Sequence, residues 1–139
     1  MSTLASTVTW KTGMAFQVDQ DGHRFLLDGS PALGGMDLGP RPKALLLSAL
    51  GGCTGIDVVE ILKKMRVPLE GLEVRLSADT TEEHPKVFTA IRLEYVFRGK
   101  ELPLDKLERA VQLSRERYCG VSAMLEKACP IHVDIRVEA

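Results

Sequence analysis

The chain has 139 residues, 45% of them apolar and 27% charged, with a net charge of −1. That length builds one hydrophobic core without disulfides or metals, and the composition is globular, not disordered. The near-neutral balance lacks the clustered basic excess of a nucleic-acid footprint, and one Trp, two Tyr and four Phe leave few platforms for stacking on single strands.

Met1 to Thr9 has neither a basic nor an apolar signal region. The expected address is therefore the cytoplasm, where thiols stay reduced unless they are catalytic or sensing. Ser6 to Lys11, Ala15 to Val18 and His23 to Asp28 read as strands, with turn chemistry at Asp19-Gln20-Asp21-Gly22. Gly29 to Pro42 is rich in Gly and Pro and predicts a long loop. Pro42 then suits the first position of a helix, which continues from Ala44 through Met65. Its first half, Ala44 to Leu50, is apolar on every side and predicts a helix surrounded by protein. Asp57, Glu60 and the glycines Gly51, Gly52 and Gly55 argue against a membrane span, because intramembrane carboxylates are expensive. Pro68 and Gly71 end the helix.

Leu72, Val74, Leu76 and Ala78 alternate with Glu73, Arg75, Ser77 and Asp79, the period of a half-buried strand. After a turn at His84-Pro85-Lys86, Val87 to Arg98 completes a hairpin. Leu104 to Arg117 is an amphipathic helix, Gly120 breaks it, Val121 to Ala128 is a second helix, and Ile131 to Val137 alternates as a last strand. Strands, long helix, strands, helices and strand make an α+β chain, one domain over residues 1–139.

The cysteines are Cys53, Cys119 and Cys129. No C-x-x-C occurs, and His23, His84 and His132 lack ligand spacing, so neither a metal site nor a cofactor is expected. Nucleotide-binding and nucleophile-elbow motifs are absent too. Cys53 lies in Gly51-Gly52-Cys53-Thr54-Gly55, where each glycine costs a helix roughly 1 kcal/mol against Ala. Gly51 and Gly55 allow a close backbone approach. Cys53 then reads either as a small thiol packed at a helix crossing or as a reactive thiol with space above it. Cys119 sits at a helix break beside Arg115 and Arg117, features that lower a thiol pKa, or else packs under Tyr118. Cys129 reads as structural. Asp57 shares the face of Cys53 and reads as a polar group bonded within an interface.

The segment Arg41-Pro42-Lys43-Ala44-Leu45-Leu46-Leu47-Ser48-Ala49-Leu50-Gly51-Gly52-Cys53, with Tyr118-Cys119-Gly120-Val121-Ser122-Ala123-Met124-Leu125, resembles the OsmC/Ohr superfamily. Asp57 to Arg66 is similar to its OsmC-like branch. The resemblance implies an OsmC-like fold, with a long buried central helix on a curved antiparallel sheet. It implies an intertwined homodimer with active sites at the subunit interface. It further implies a peroxidatic Cys53 and a resolving Cys119 acting on a hydroperoxide, reset by an external dithiol, in oxidative stress defence. Two positions depart from the Ohr branch. Its glutamate ten residues before the first cysteine is Lys43 here, and its N-terminal arginine has no counterpart in Thr12-Gly13-Met14-Ala15. Arg41, Lys43 and Arg24 are the candidates for the missing positive charge, in thiolate activation or substrate binding. The departures also leave open a non-catalytic small-molecule or redox-sensing protein on the same dimeric fold, or a structural dimer with inert thiols.

Overall fold

Left-handed turns set the first three strands. Asp21 and Gly22, at φ of 51° and 79°, form the two-residue reversed turn that matches strand twist. They join β2 (Ala15–Gln20) to β3 (His23–Leu27), while Gly13 at φ 53° joins β1 (Thr7–Thr12) to β2. The chain is described from a computed structural model covering residues 2–139, which fall into two compact units divided between Leu46 and Leu47.

The first unit is the antiparallel sheet β1-β2-β3 and the loop that follows it. The loop, predicted from its Gly and Pro content, is organised by one carboxylate. Asp28 is only 1% exposed, and it accepts hydrogen bonds from the backbone N–H groups of Gly29 (2.8 Å), Met36 (2.9 Å) and Leu38 (3.2 Å). A single 3₁₀ turn, Pro31–Leu33, fits inside this clasp. The backbone passes so close that a Cβ on Gly39 would lie 2.0 Å from the Leu26 carbonyl oxygen.

The helix α1 (Pro42–Lys64) begins in the first unit and runs on into the second. It ends before Pro68, through an αL reversal at Arg66 (φ 59°). There the Arg66 and Val67 N–H groups donate to the carbonyls of Lys63 and Leu62, the pairing of a Schellman stop.

In the second unit the predicted alternation becomes register. β5 (Phe88–Arg98) lies between β4 (Gly71–Thr80) and β6 (Ile131–Glu138). Leu93 sits opposite Leu76 on one side and Val133 on the other; Tyr95 sits opposite Val74 and Ile135. The inward β5 residues Leu93, Tyr95 and Phe97 are buried with Val58 and Leu62 of α1, and Ile91 is buried with Leu50. β4 and β5 are antiparallel as expected. β6, however, runs parallel to β5, because the chain crosses back through two helices before it enters the sheet.

The amphipathic helix expected over Leu104–Arg117 is α2 (Leu104–Leu113), followed by a widened π turn at Ser114–Tyr118. The last helix, α3, spans Gly120–Leu125. The expectation that Ala44 to Leu50 is enclosed is met only at Leu50 within the single chain. Further along α1, Ile56 is 70% exposed and Val59 46%. By length and composition alone α1 could also cross a membrane.

The Asp28 clasp makes the loop sensitive to acid. The N–H donors, that of Met36 first, hold the carboxyl below its ordinary pKa; burial opposes them. A carboxyl depressed in the folded state stabilises above its unfolded pKa of about 3.9, and that contribution is lost as pH falls through the folded value. Exchange of the Met36 and Leu38 amides, corrected for intrinsic rate, should accelerate below about pH 4. In Asp28→Asn it should be fast throughout; protection in the native chain that is flat with pH would contradict the clasp.

Candidate active site

A helix that buries one stripe repeats its core residues every three or four positions. In α1 that stripe is Leu50, Thr54, Val58 and Leu62, each fully or almost fully buried. Thr54 is the polar member, and its hydroxyl cannot stay unpaired there without costing about 1–3 kcal/mol. It lies 2.6 Å from the Tyr95 hydroxyl and 2.7 Å from the Ser114 hydroxyl. Ser114 in turn donates to Asp57 Oδ2 at 2.9 Å.

The direction of this chain follows from proton counting. A carboxylate only accepts, so Ser114 spends its one proton on Asp57. Thr54 must then donate to Ser114, and Tyr95 to Thr54. Burial pushes the Tyr95 phenol above its ordinary pKa, although the Thr54 bond pulls it down, and so favours the protonated donor. Four side chains from α1, β5 and the π turn thus form one buried relay ending on Asp57.

Cys53 and Asp57 each stand one position before a residue of the buried stripe, four residues apart, and both are half-buried. Cys119 arrives from the other side. Its backbone N–H donates to the Ser114 carbonyl at 2.7 Å, a five-residue span that makes the turn π instead of α. Its Sγ caps α3 by accepting the Ser122 N–H at 3.3 Å. Ser114 therefore fixes both sides of the site, with its carbonyl on Cys119 and its hydroxyl on Asp57. One ligand atom each from Cys53, Asp57 and Cys119 lie within 4.8 Å of one another. Both thiols are free, and Cys119 is 2% exposed.

The pKa of Cys119 differs from the sequence expectation. Burial pushes the thiol up; Ser122, whose N–H donates to Sγ, pulls it down, and the neighbouring Cys53 thiol pushes it up further. Arg117 points to solvent. Arg115 donates to the Ile131 carbonyl at 3.4 Å and lies 4.0 Å from a Glu126 carboxylate oxygen. Desolvation therefore outweighs the features that the local sequence offers for lowering the pKa.

Of the sequence candidates, the structure brings together Cys53 and Cys119. Arg24, Arg41 and Lys43 belong to the first unit. Arg24 pairs with Asp19, Arg41 donates to Asp37 (3.1 Å) and to the Gly39 carbonyl (2.9 Å), and Lys43 is exposed on the first turn of α1. Cys129 is buried beside Cys119, Leu50 and Ile91. Sequence reasoning did not find Tyr95, Thr54 or Ser114. Their signal was a hydroxyl on an apolar helix stripe for Thr54 and Ser114 and on the inward face of a strand for Tyr95, and it pointed to no partner.

The relay can be tested through its direction. Thr54→Val strands the Tyr95 donor and the Ser114 acceptor, and should cost about 1–3 kcal/mol in urea unfolding. Tyr95→Phe removes only the terminal donor and should cost less, about 0.5–1.5 kcal/mol. Equal costs would argue against the directed chain.

The family described as OsmC-like protein matches residues 34–134. The chain is 40% identical to Protein YhfA of Escherichia coli strain K12 over 129 residues, covering 92% of this chain and 93% of YhfA. A hypothetical protein from Aquifex aeolicus superposes with a TM-score of 0.84 at 29% identity, over the full length of both chains. The organic hydroperoxide resistance protein OhrB of Bacillus subtilis has a TM-score of 0.64 at 19% identity, covering 95% of this chain and 98% of OhrB, a likeness of fold alone.

Proposed function

As this chain belongs to the OsmC-like family, we propose that it is a thiol-dependent hydroperoxide reductase with Cys53 peroxidatic and Cys119 resolving. The observation that carries the reading is the meeting of two free thiols, one half-buried and one buried, within 4.8 Å. Peroxide reaches the more open thiol. The Cys53 thiolate attacks one peroxide oxygen, the O–O bond breaks, and an alcohol leaves with a proton. The sulfenic acid on Cys53 condenses with Cys119, forming a disulfide and expelling water. An external dithiol returns the pair by exchange. Cys119, buried and with its pKa raised, suits the second of these roles better than the first.

An open cleft of about 550 Å³ runs beside Asp57, walled by Ile61, Met65, Leu113 and Tyr118 and edged by the charged Glu60 and Lys64. It suits a small substrate with an apolar portion. A non-catalytic binding or sensing protein is the second reading, favoured by Lys43 standing where the Ohr branch has its glutamate.

The reading includes a soluble, cytoplasmic homodimer. Its support is the apolar face of α1 at Gly52, Ile56 and Val59, which borders an open groove walled by Leu72 and Val74. Apolar side chains left exposed side by side on one helix face suit an interaction surface, and a second copy is the occupant that the family fold suggests.

Turnover of hydroperoxide with excess dithiol should vanish in Cys53→Ser. Cys119→Ser, given one equivalent of hydroperoxide without dithiol, should form no disulfide and keep a dimedone-reactive sulfenic acid on Cys53. A wild-type rate no faster than that of the variants would overturn the catalytic reading and leave ligand binding. Separately, Ile56→Arg should lower the mass in multi-angle light scattering from dimer to monomer; an unchanged dimer would place the interface elsewhere.

A further inference from the structure

The sequence shows no metal-binding spacing, yet the fold assembles two thiols and a carboxylate. Zinc favours thiolate and carboxylate donors, and four-coordinate sites with three protein ligands leave one position open. Bond lengths of about 2.3 Å to sulfur and 2.0–2.2 Å to oxygen separate tetrahedral ligand atoms by roughly 3.4–3.8 Å. Side-chain adjustments of about 1 Å bring atoms that now lie within 4.8 Å to that spacing.

The outer contacts of a metal site are also in place. Ser114 donates to Asp57 Oδ2, and the other carboxylate oxygen accepts no hydrogen bond among the described residues. The Ser122 N–H donates to Cys119 Sγ at 3.3 Å. Ligands held by such bonds keep their orientation, and losing one typically costs a metal site about 10–100-fold in affinity. Cys53 and Asp57 are half-buried, so the cluster is not sealed from solvent.

We propose that Cys53 Sγ, Cys119 Sγ and an Asp57 carboxylate oxygen bind one zinc ion in the reduced protein, and that oxidation of the two thiols releases it. Binding displaces the thiol protons, as thiolate ligation requires. Release follows from balanced chemistry. The two thiolates and a hydroperoxide, with two protons, give the disulfide, an alcohol and water; the sulfurs lose two electrons and the O–O bond takes them. A disulfide no longer offers the two thiolate donors, so the ion leaves. The site uses the thiols of the proposed peroxidase, but zinc affinity does not depend on turnover.

The test uses the full chain, reduced and stripped of metal, titrated with zinc under argon against a chromogenic chelator. One zinc per chain is expected, with stoichiometric binding lost in Cys53→Ser and in Cys119→Ser. Asp57→Asn should weaken binding about tenfold or more, while Cys129→Ser should leave it unchanged. Cobalt loaded in place of zinc should show thiolate-to-metal charge transfer, which the Cys53 and Cys119 variants lose. Diamide, which oxidises dithiols without peroxide, should free the zinc even if the protein turns over no hydroperoxide. Failure of catalysis and failure of the metal site are thereby separable. Wild-type affinity in Asp57→Asn, dependence on Cys129, or retention of zinc after diamide would each overturn the proposal.

Discussion

Thr54 is a hydroxyl in the most buried stripe of the longest helix, and much of the second unit is arranged to satisfy it. Its two partners come from the centre of the sheet and from the π turn. Meeting the hydrogen-bonding need of one threonine therefore ties α1 to β5 and to the segment that carries Cys119. Buried polar groups are costly when unpaired and specifying when fully paired. Here the pairing fixes which way α1 faces, and so where Cys53 and Asp57 stand. Gly51 serves the same packing: a Cβ there would lie 2.7 Å from Leu76 Cδ1, so the Leu76 side chain of β4 packs directly against the α1 backbone.

Ser114 joins this structural bond to the chemistry. It is the first residue of the π turn, and its carbonyl receives the Cys119 N–H while its hydroxyl donates to Asp57. Cys119 and Asp57 are thus positioned by one residue that belongs to neither α1 nor α3. The two thiols share an environment but not an exposure, and this difference separates the roles proposed for them.

Much of this was legible in the sequence. Period-two alternation in Leu72–Ala78 and Ile131–Ile135 became the inward faces of β4 and β6, because alternation reports burial directly, although Val137 at the end of β6 is exposed. It is blind to strand direction, so the parallel run of β6 beside β5 could not be read from it. The pairing of Cys53 with Cys119 came from resemblance; the residues alone left each thiol open to a bland reading. Asp57 was seen beside Cys53 because both lie on one helix. Tyr95 was not seen, because its partner Thr54 is 41 residues away and nothing local marks the bond. The pKa of Cys119 was misread for a related reason: nearby arginines are visible in sequence, whereas desolvation belongs to the tertiary structure.

The π turn winds one more residue into a single turn than an α-helix would. Removing one residue between Ser114 and Tyr118 would let α2 continue in regular winding, with better backbone geometry than it has now. Winding the same residues as regular α-helix, with none removed, would instead turn everything beyond them by about 100° around the helix axis. Cys119 would swing off the face that meets Cys53. The irregular turn therefore works as a phase setting: the chain gives up one stretch of ideal helix so that a residue distant in sequence comes into step with α1.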